Sequence, residues 1–274
     1  MEVRWLGWAG VEIEAGGASV VIDPLADVDA VFAPFGESGA GGRPTVVAPA
    51  RPGRAVAGLV THLHRDHTDA GALAAALAPG APMLHPPAVG GGELEELALV
   101  TAQHELAEAG LELVAVEPWT TVEIEPFAFT ALPAVDGLGD PQVAWLVEAE
   151  GQRVLHLGDT IFHGYWWRMA LRHGPFDLVL PPINGALVKF PHRRPASPLP
   201  VALDPEQAAV AAELLGAAMA VPIHYDGYRV EPYYQPVANA GERFLAAAAD
   251  RPYEARLLRP GEAVQLNEEE AAAA

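Results

Sequence analysis

The chain has no cysteine, and this absence limits its chemistry at once. Disulfides, thiolate zinc sites and cysteine nucleophiles are excluded, so any bound metal must use nitrogen and oxygen ligands. Long apolar runs are also missing, because none approaches the roughly 20 residues that a membrane helix requires. The first residues lack the charged and apolar regions of a secretory signal. These absences predict a cytoplasmic protein with no membrane attachment.

Basic residues are scarce as well. The formal charge is −20, and Lys189 is the only lysine among 274 residues. A chain this acidic repels a phosphate backbone, so we expect a small-molecule substrate rather than a nucleic acid. About half of the residues are apolar, which is enough for one large α/β domain or two closely packed halves.

Strand patterns occur in two groups, and helix patterns follow each group. Short β-rich segments separated by glycines come first, and an alanine- and leucine-rich helix is predicted over 68–77, capped by Thr68 or Asp69. Further strands follow between 111 and 180, and a helix over 205–215 has Asp204 as its predicted N-cap. This order favours two sheets between layers of helices. The predicted strands lie at 3–6, 11–14, 19–22, 55–60, 111–116, 121–124, 127–132, 143–149, 153–157, 177–180 and 218–223, with further helix at 93–109 and 238–249.

The motif Thr61-His-Leu-His-Arg-Asp-His67 carries the strongest chemical signal. It lies between a predicted buried strand and a predicted helix. Neutral imidazole and carboxylate are standard ligands for zinc and similar divalent ions. In extended backbone, residues two apart face the same way, so His62 and His64 can bind one ion. Asp66 and His67 then point elsewhere and can serve a second ion.

Three more polar residues follow apolar strand patterns. They are Asp136, Asp159 and His224. Ligands at the ends of several strands converge on one edge of a sheet, which is how a rigid scaffold assembles a site. Taken singly, Asp159 also fits a turn cap and His224 a core histidine, so their recurrence together favours the metal site.

These motifs resemble the metallo-β-lactamase superfamily, and in particular its intracellular metal-dependent hydrolases that include sugar-acid-phosphate lactonases. The resemblance rests on Thr-His-x-His-x-Asp-His, on the Gly-Asp-Thr that ends in Thr160, and on the Pro-Ile-His that ends in His224. It implies an α/β fold, a four-layer αββα sandwich, as a single domain over 1–266. The tail over 267–274 is predicted to be disordered from its own residues. The resemblance also implies two divalent metal ions. His62 and His64 would bind the first ion, Asp66, His67 and His224 the second, and Asp159 would bridge both.

One position departs from the superfamily pattern. Where a third histidine for the first ion is usual, this chain has Asp136 before Gly137. His104 is a rival, but its surroundings read as a helix, which favours a surface histidine. We therefore predict Asp136 as the ligand. A carboxylate here makes the site harder, so manganese or iron are alternatives to zinc, although affinity order favours zinc. Asp23 is predicted either to accept a hydrogen bond from a ligand histidine or to serve as a turn residue.

The resulting hypothesis is a hydrolase that uses a metal-bound hydroxide on a small ester, lactone or phosphoester. Asp66 is the predicted catalytic residue, which orients the hydroxide and moves its proton. Arg193, Arg194 and Tyr225 are predicted to bind substrate, and the two arginines favour an anionic one. An exposed loop that balances local acidic charge is the simpler interpretation of the arginines. The alternative function is a catalytically inactive metal-binding or regulatory protein on the same fold.

Overall fold

The computed structural model describes residues 1–32, 42–88, 93–191 and 193–266. Two seven-stranded β-sheets dominate these residues. The first has the order β16-β1-β2-β3-β4-β5-β6 and consists of β1 (Glu2–Gly7), β2 (Gly10–Ala15), β3 (Ala18–Ile22), β4 (Ala55–Leu59), β5 (Pro82–His85), β6 (Glu112–Ala115) and β16 (Ala263–Gln265). The second has the order β15-β13-β11-β10-β9-β8-β7 and consists of β7 (Thr121–Ile124), β8 (Phe127–Pro133), β9 (Val143–Ala149), β10 (Gln152–His156), β11 (Phe176–Leu180), β13 (Ala217–Ala220) and β15 (Glu254–Ala255).

The two sheets pack face to face over a continuous apolar core. Ile13 and Val20 of the first sheet belong to the same buried cluster as Phe129, Trp145 and Leu155 of the second. Each sheet combines an antiparallel half with a parallel half. The strands of the parallel halves send their carboxyl ends toward one edge, where connecting loops can gather side chains.

Helices cover the outer faces of both sheets. Leu73 and Leu106 belong to a second apolar cluster that backs the first sheet, while Ala208, Leu215 and Phe244 join the main core from the far side of the second sheet. The helices are α1 (Val28–Phe32), α2 (Ala70–Ala76), α3 (Glu93–Glu108), α4 (Trp166–His173), α5 (Pro205–Leu215) and α6 (Ala240–Ala248). The predicted αββα sandwich is therefore confirmed.

Most predicted elements are found within one or two residues of their expected ends. The Asp69 side chain accepts a hydrogen bond from the backbone N–H of Ala72, so Asp69 rather than Thr68 caps α2. The strand predicted over 218–223 is shorter and ends at Ala220, since Pro222 follows and has no N–H to donate to a sheet ladder. The predicted tail over 267–274 lies outside the described residues.

A small third sheet and five isolated bridges add to the strand pairing among the described residues. β12 (Leu187–Val188) pairs with β14 (Tyr234–Gln235). Bridges between His62 and Gln142 and between Asp136 and Thr160 join loops that follow different strands. None of the helices in the described ranges is long and apolar enough to cross a bilayer.

Candidate metal centre

The histidine motif forms the loop between β4 and α2, as its sequence position indicates. His62 and His67 are fully buried there, while His64 and Asp66 are only partly covered. Trp145 donates its indole N–H to the Val60 carbonyl at 2.9 Å, which fixes the start of the loop against the second sheet. The motif is therefore held rigidly where the two sheets meet.

The first cluster of donors combines His62, His64 and Asp136. Nε2 of His62 lies 2.8 Å from Nδ1 of His64, so one nitrogen of each ring faces the same point. A carboxylate oxygen of Asp136 lies within 4.8 Å of one nitrogen of each ring. The same carboxylate accepts the backbone N–H groups of Leu138 and Asp140 at 2.9 and 3.0 Å, which fixes its orientation.

The second cluster combines Asp66, His67, Asp159 and His224. Nε2 of His224 lies 3.1 Å from Oδ1 of Asp159 and 3.3 Å from Oδ2 of Asp66. Nε2 of His67 lies 3.5 Å from the same two oxygens. The ring centroids of His62 and His67 are 4.1 Å apart, so the two clusters adjoin.

A buried pair, Asp23 and Thr61, orients two of the histidines from behind. Asp23 accepts the backbone N–H of Thr61 at 2.8 Å and its hydroxyl at 2.6 Å. Nδ1 of His67 lies 2.7 Å from Asp23 Oδ2, and Nδ1 of His62 lies 3.0 Å from the Thr61 hydroxyl. Protons on both Nδ1 atoms leave the two Nε2 lone pairs free to face the cluster. The predicted contact of Asp23 with a histidine of the motif is therefore present.

Asp140 orients the His64 ring with the two nitrogens in exchanged roles compared with His62 and His67. Nε2 of His64 lies 2.8 Å from Asp140 Oδ2, so Nδ1 is the nitrogen that faces the cluster. Arg193 lies 3.6 Å from the same carboxylate oxygen and helps to hold it. Burial alone would lower the pKa of His64, but the Asp140 hydrogen bond and the Asp136 charge outweigh burial and raise it.

His224 receives its support from Asn184. Nδ2 of Asn184 lies 2.8 Å from Nδ1 of His224 and 2.7 Å from the Tyr234 hydroxyl, while Oδ1 of the same amide is buried without a partner. A half-turn of the amide places Oδ1 opposite Nδ1 and gives the imidazole an acceptor for its Nδ1 proton. His224 then matches His62 and His67, with its Nε2 lone pair directed at the carboxylates.

The donor sets fit divalent cations. Nε2 of His67 and Oδ1 of Asp159 are buried and make no hydrogen bond, which is costly for polar atoms that nothing else satisfies. Burial would lower the pKa of His67, but Asp66 and Asp159 outweigh it and hold that pKa well above its ordinary value. Burial lowers the pKa of His62 well below its ordinary value, with His67 adding to the effect, so its ring is neutral. The second cluster thus attracts positive charge, and the first offers imidazole lone pairs.

A family model described as a beta-lactamase superfamily domain matches residues 19–225. This range begins in β3 and includes every donor of both clusters. The chain belongs to the metallo-β-lactamase superfamily.

Relatives within the superfamily match over nearly the whole chain. A protein of Thermococcus onnurineus described as a metal-dependent hydrolase is 26% identical and covers 97% of this chain and 100% of its own. A metallo hydrolase of Ignicoccus hospitalis has a TM-score of 0.63 at 18% identity and covers 96% of this chain and 97% of its own. The metallo-beta-lactamase fold protein YhfI of Bacillus subtilis has a TM-score of 0.65 at 16% identity, with coverages of 96% and 98%. The structural matches support the fold.

A cavity of about 410 Å³ opens beside the two clusters, and one of the three residues predicted to bind substrate lines it. Arg193 lines this cavity, but Arg194 does not. Arg194 is exposed and donates its Nε–H to the Pro191 carbonyl. Tyr225 is also absent from the wall, because it is buried and stacks on Trp5 with ring centroids 5.4 Å apart. His224, the residue before it, has a left-handed backbone with φ of 53°.

His104 is confirmed as a surface residue. It lies on α3 with 69% of its side chain exposed and faces Glu108 one turn along the helix. It belongs to neither donor cluster.

Sequence reasoning missed four residues of the centre. They are Trp8, Asp140, Asn184 and Tyr234. Trp8 donates its indole N–H to Asp66 Oδ2 at 2.9 Å, and its ring lies 4.0 Å from that of His224. Asn184 follows β11 by four residues, so the search for polar residues after apolar strands that found Asp159 could have found it. Trp8 and Tyr234 gave no comparable signal, because their roles depend on contacts between distant segments.

Proposed function

We propose that this metal-dependent hydrolase of the metallo-β-lactamase superfamily cleaves a small ester, lactone or phosphoester by attack of water. The observation that carries the proposal is the pair of adjoining clusters in which histidine nitrogens and carboxylate oxygens converge. His62, His64 and Asp136 would hold one divalent ion. His67 and His224 would hold a second together with Asp66, and Asp159 would contact both. Zinc is the proposed metal, with manganese or iron as alternatives.

The ions would supply two effects when bound: they acidify a coordinated water, and they polarise the carbonyl or phosphoryl group under attack. The protein's own residues orient the imidazole rings. Asp23, Thr61, Asp140 and Asn184 restrict the imidazole rings, so that little reorganisation is needed when substrate arrives. No serine or cysteine nucleophile is required.

Asp66 is the proposed catalytic residue. It lines the cavity, and the Trp8 indole N–H fixes its Oδ2 at 2.9 Å. In the metal-free protein burial would raise the pKa of Asp66, but the charge of His67 and the hydrogen bond of His224 outweigh it and lower that pKa well below its ordinary value. A bound cation would favour the ionised carboxylate in the same sense. An ionised carboxylate in this place can orient the attacking water and accept its proton at a carboxylate oxygen.

The proposal is tested by elemental analysis of the purified protein beside Asp136→Ala. We expect two metals per chain in the wild type and one in the variant, because Asp136 supplies the only carboxylate of the first cluster. The control is Asp177→Ala, which removes a carboxylate that accepts the Arg153 backbone N–H away from the cavity. The control should keep both metals.

Hydrolysis of generic carboxylic ester, lactone and phosphodiester probes is measured on the same samples. Turnover that is lost on chelation and restored by added zinc supports the proposal. Two bound metals with no turnover of any probe would instead favour the inactive metal-binding or regulatory alternative. One metal in both wild type and Asp136→Ala would remove Asp136 from the ligand set.

A further inference from the structure

We propose that the substrate is uncharged outside its scissile group and carries a small branched or aromatic apolar group. The inference rests on the proposed function and adds the substrate class. It comes from the wall of the cavity that faces the donor clusters. At about 410 Å³ the cavity falls within the range of small-molecule sites, about 300–1,000 Å³.

Aromatic and aliphatic side chains form this wall. Phe32 of α1, Phe190, and the three tyrosines 228, 233 and 234 supply the rings, and Val188 of β12 supplies an aliphatic surface. The wall is preformed by ring contacts. The rings of Phe32 and Tyr228 are 4.4 Å apart, and those of Tyr228 and Tyr234 are 5.4 Å apart. Pairing of Val188 with Tyr234 in the small β12–β14 sheet fixes one side.

The cations of the described wall are already neutralised by partners. They are Arg65 and Arg193. Arg65 lies 3.4 Å from Glu105 on α3, and Arg193 lies 3.6 Å from Asp140 and donates to the Leu138 carbonyl. Of the four carboxylates in the described part of the wall, Asp66, Asp136 and Asp159 are the proposed metal ligands and Asp140 is the partner of Arg193, so none of them offers a free positive partner.

A carboxylate or phosphate placed against the aromatic wall would therefore lose water without gaining a positive partner. An apolar group in the same place gains from burial, and the flat rings offer edge and face contacts. The pairing of Arg193 with Asp140 also explains why a cluster of arginines in the sequence need not indicate an anionic substrate. Arg193 serves to orient His64 through Asp140.

The test uses two methyl esters of matched shape. Methyl isocaproate ends in an isopropyl group, and monomethyl succinate ends in a carboxylate at the same distance from the ester. Ester hydrolysis by the zinc-loaded protein is followed by proton release. We expect kcat/KM for the neutral ester to exceed that for the anionic ester by about tenfold or more. The cost of burying an unpaired polar group corresponds to a loss of at least about tenfold in rate.

Two tyrosine variants test whether the cavity wall causes the preference for the neutral ester. Tyr233 lines the cavity and is 41% exposed, while Tyr165 at the start of α4 is also 41% exposed but lies outside the cavity wall. Tyr233→Lys should narrow the preference for the neutral ester severalfold by placing a cation on the wall. Tyr165→Lys adds the same charge elsewhere and should leave the preference unchanged. Equal narrowing in both variants would contradict the inference.

Binding of the matched amides separates this inference from the proposed reaction. Isocaproamide and succinamate are titrated into the zinc-loaded protein by calorimetry. Tighter binding of isocaproamide without hydrolysis of either ester supports the apolar wall and contradicts ester hydrolysis. Equal or tighter binding of succinamate, a higher kcat/KM for monomethyl succinate, or binding of neither amide would overturn the inference.

Discussion

The four histidines of the centre share one arrangement, in which one ring nitrogen faces the cluster and the other faces a fixed polar group. That second group differs in each case. It is Thr61 for His62, Asp140 for His64, Asp23 for His67 and Asn184 for His224. Such partners fix the tautomer and the ring orientation of a histidine, so they would influence metal affinity without contacting an ion. The centre is therefore larger than its seven donors.

Asp140→Ala tests whether the polar partner of His64, which was not predicted from the sequence, affects metal affinity. Loss of the Asp140 acceptor frees the His64 ring to rotate, so we expect zinc affinity at the first cluster to fall about 10–100-fold. Affinity is measured by competition with a chromogenic chelator. Asp177→Ala is the matched control and should bind as wild type does. Unchanged affinity in Asp140→Ala would show that packing alone holds His64.

The sequence predicted which way side chains point when they are close together in the chain. It did not predict contacts between side chains that are far apart in the chain. His62 and His64 are two apart in one loop, so their shared direction follows from backbone geometry. Asp140 reaches His64 across 76 positions of the chain. Tyr225 lies in the core against Trp5 rather than on the cavity wall, and its neighbour His224 has a positive φ that this residue type does not signal.

Among the elements, α5 is the one whose start is best specified by sequence. Asp204 accepts the backbone N–H of Gln207 at 2.8 Å, and Gln207 reaches back to the N–H of Asp204, so the predicted cap is a full capping box. Asp204→Ala should lower the free energy of unfolding by about 1 kcal/mol. Asp204→Asn keeps an acceptor and should stay close to wild type. Chemical denaturation measures both, and equal losses would show that the charge rather than the cap matters.

The turn before α4 contains a histidine that should make stability depend on pH. His163 stacks on Trp166 with ring centroids 3.8 Å apart, and burial lowers its pKa from 6.5 to about 4. Between these values the unfolded chain binds a proton that the folded chain does not. Stability is therefore lost as pH falls from about 6.5 toward 4. His163 should contribute a loss of about 1 kcal/mol between pH 7 and pH 5, after allowance for partial exposure.

His163→Phe isolates this effect, because it keeps an aromatic ring against Trp166 and removes the titrating group. The variant should lose about 1 kcal/mol less than wild type between pH 7 and pH 5 in urea denaturation. His104→Phe on the exposed face of α3 is the control and should follow wild type. Parallel curves for wild type and His163→Phe would contradict the prediction.

Long and strongly apolar strands were predicted well, and short or mixed elements were not. The strand over 143–149 has the expected bounds because it is almost wholly apolar. The helix α4 was not predicted, and its first two residues lie in different surroundings: Trp166 is buried in the core and Trp167 is 58% exposed. The two-residue strands β12 and β14 form only because they pair with each other, so neither has a pattern of its own.

At the scale of the whole molecule, the centre joins the two sheets. The loop after β4 of the first sheet supplies His62, His64, Asp66 and His67. The second sheet supplies Asp136 after β8, Asp159 after β10 and His224 after β13. The sequence order of strands and ligand motifs was sufficient to predict this layering. The cavity wall was not predictable, because it combines α1 with segments more than 150 residues away.

Removal of metal should therefore weaken the whole fold rather than one loop. Without cations the carboxylates of Asp66 and Asp159 repel each other, and the sheets lose a shared set of ligands. At metal concentrations about 100-fold above Kd, binding contributes about 2.7 kcal/mol, so chelation should lower Tm by about 5–10 °C and added zinc should restore it. Calorimetry measures the shift. His224→Ala should respond less to chelator than wild type. An unchanged wild-type Tm after verified metal removal would mean that the packed core alone holds the sheets together.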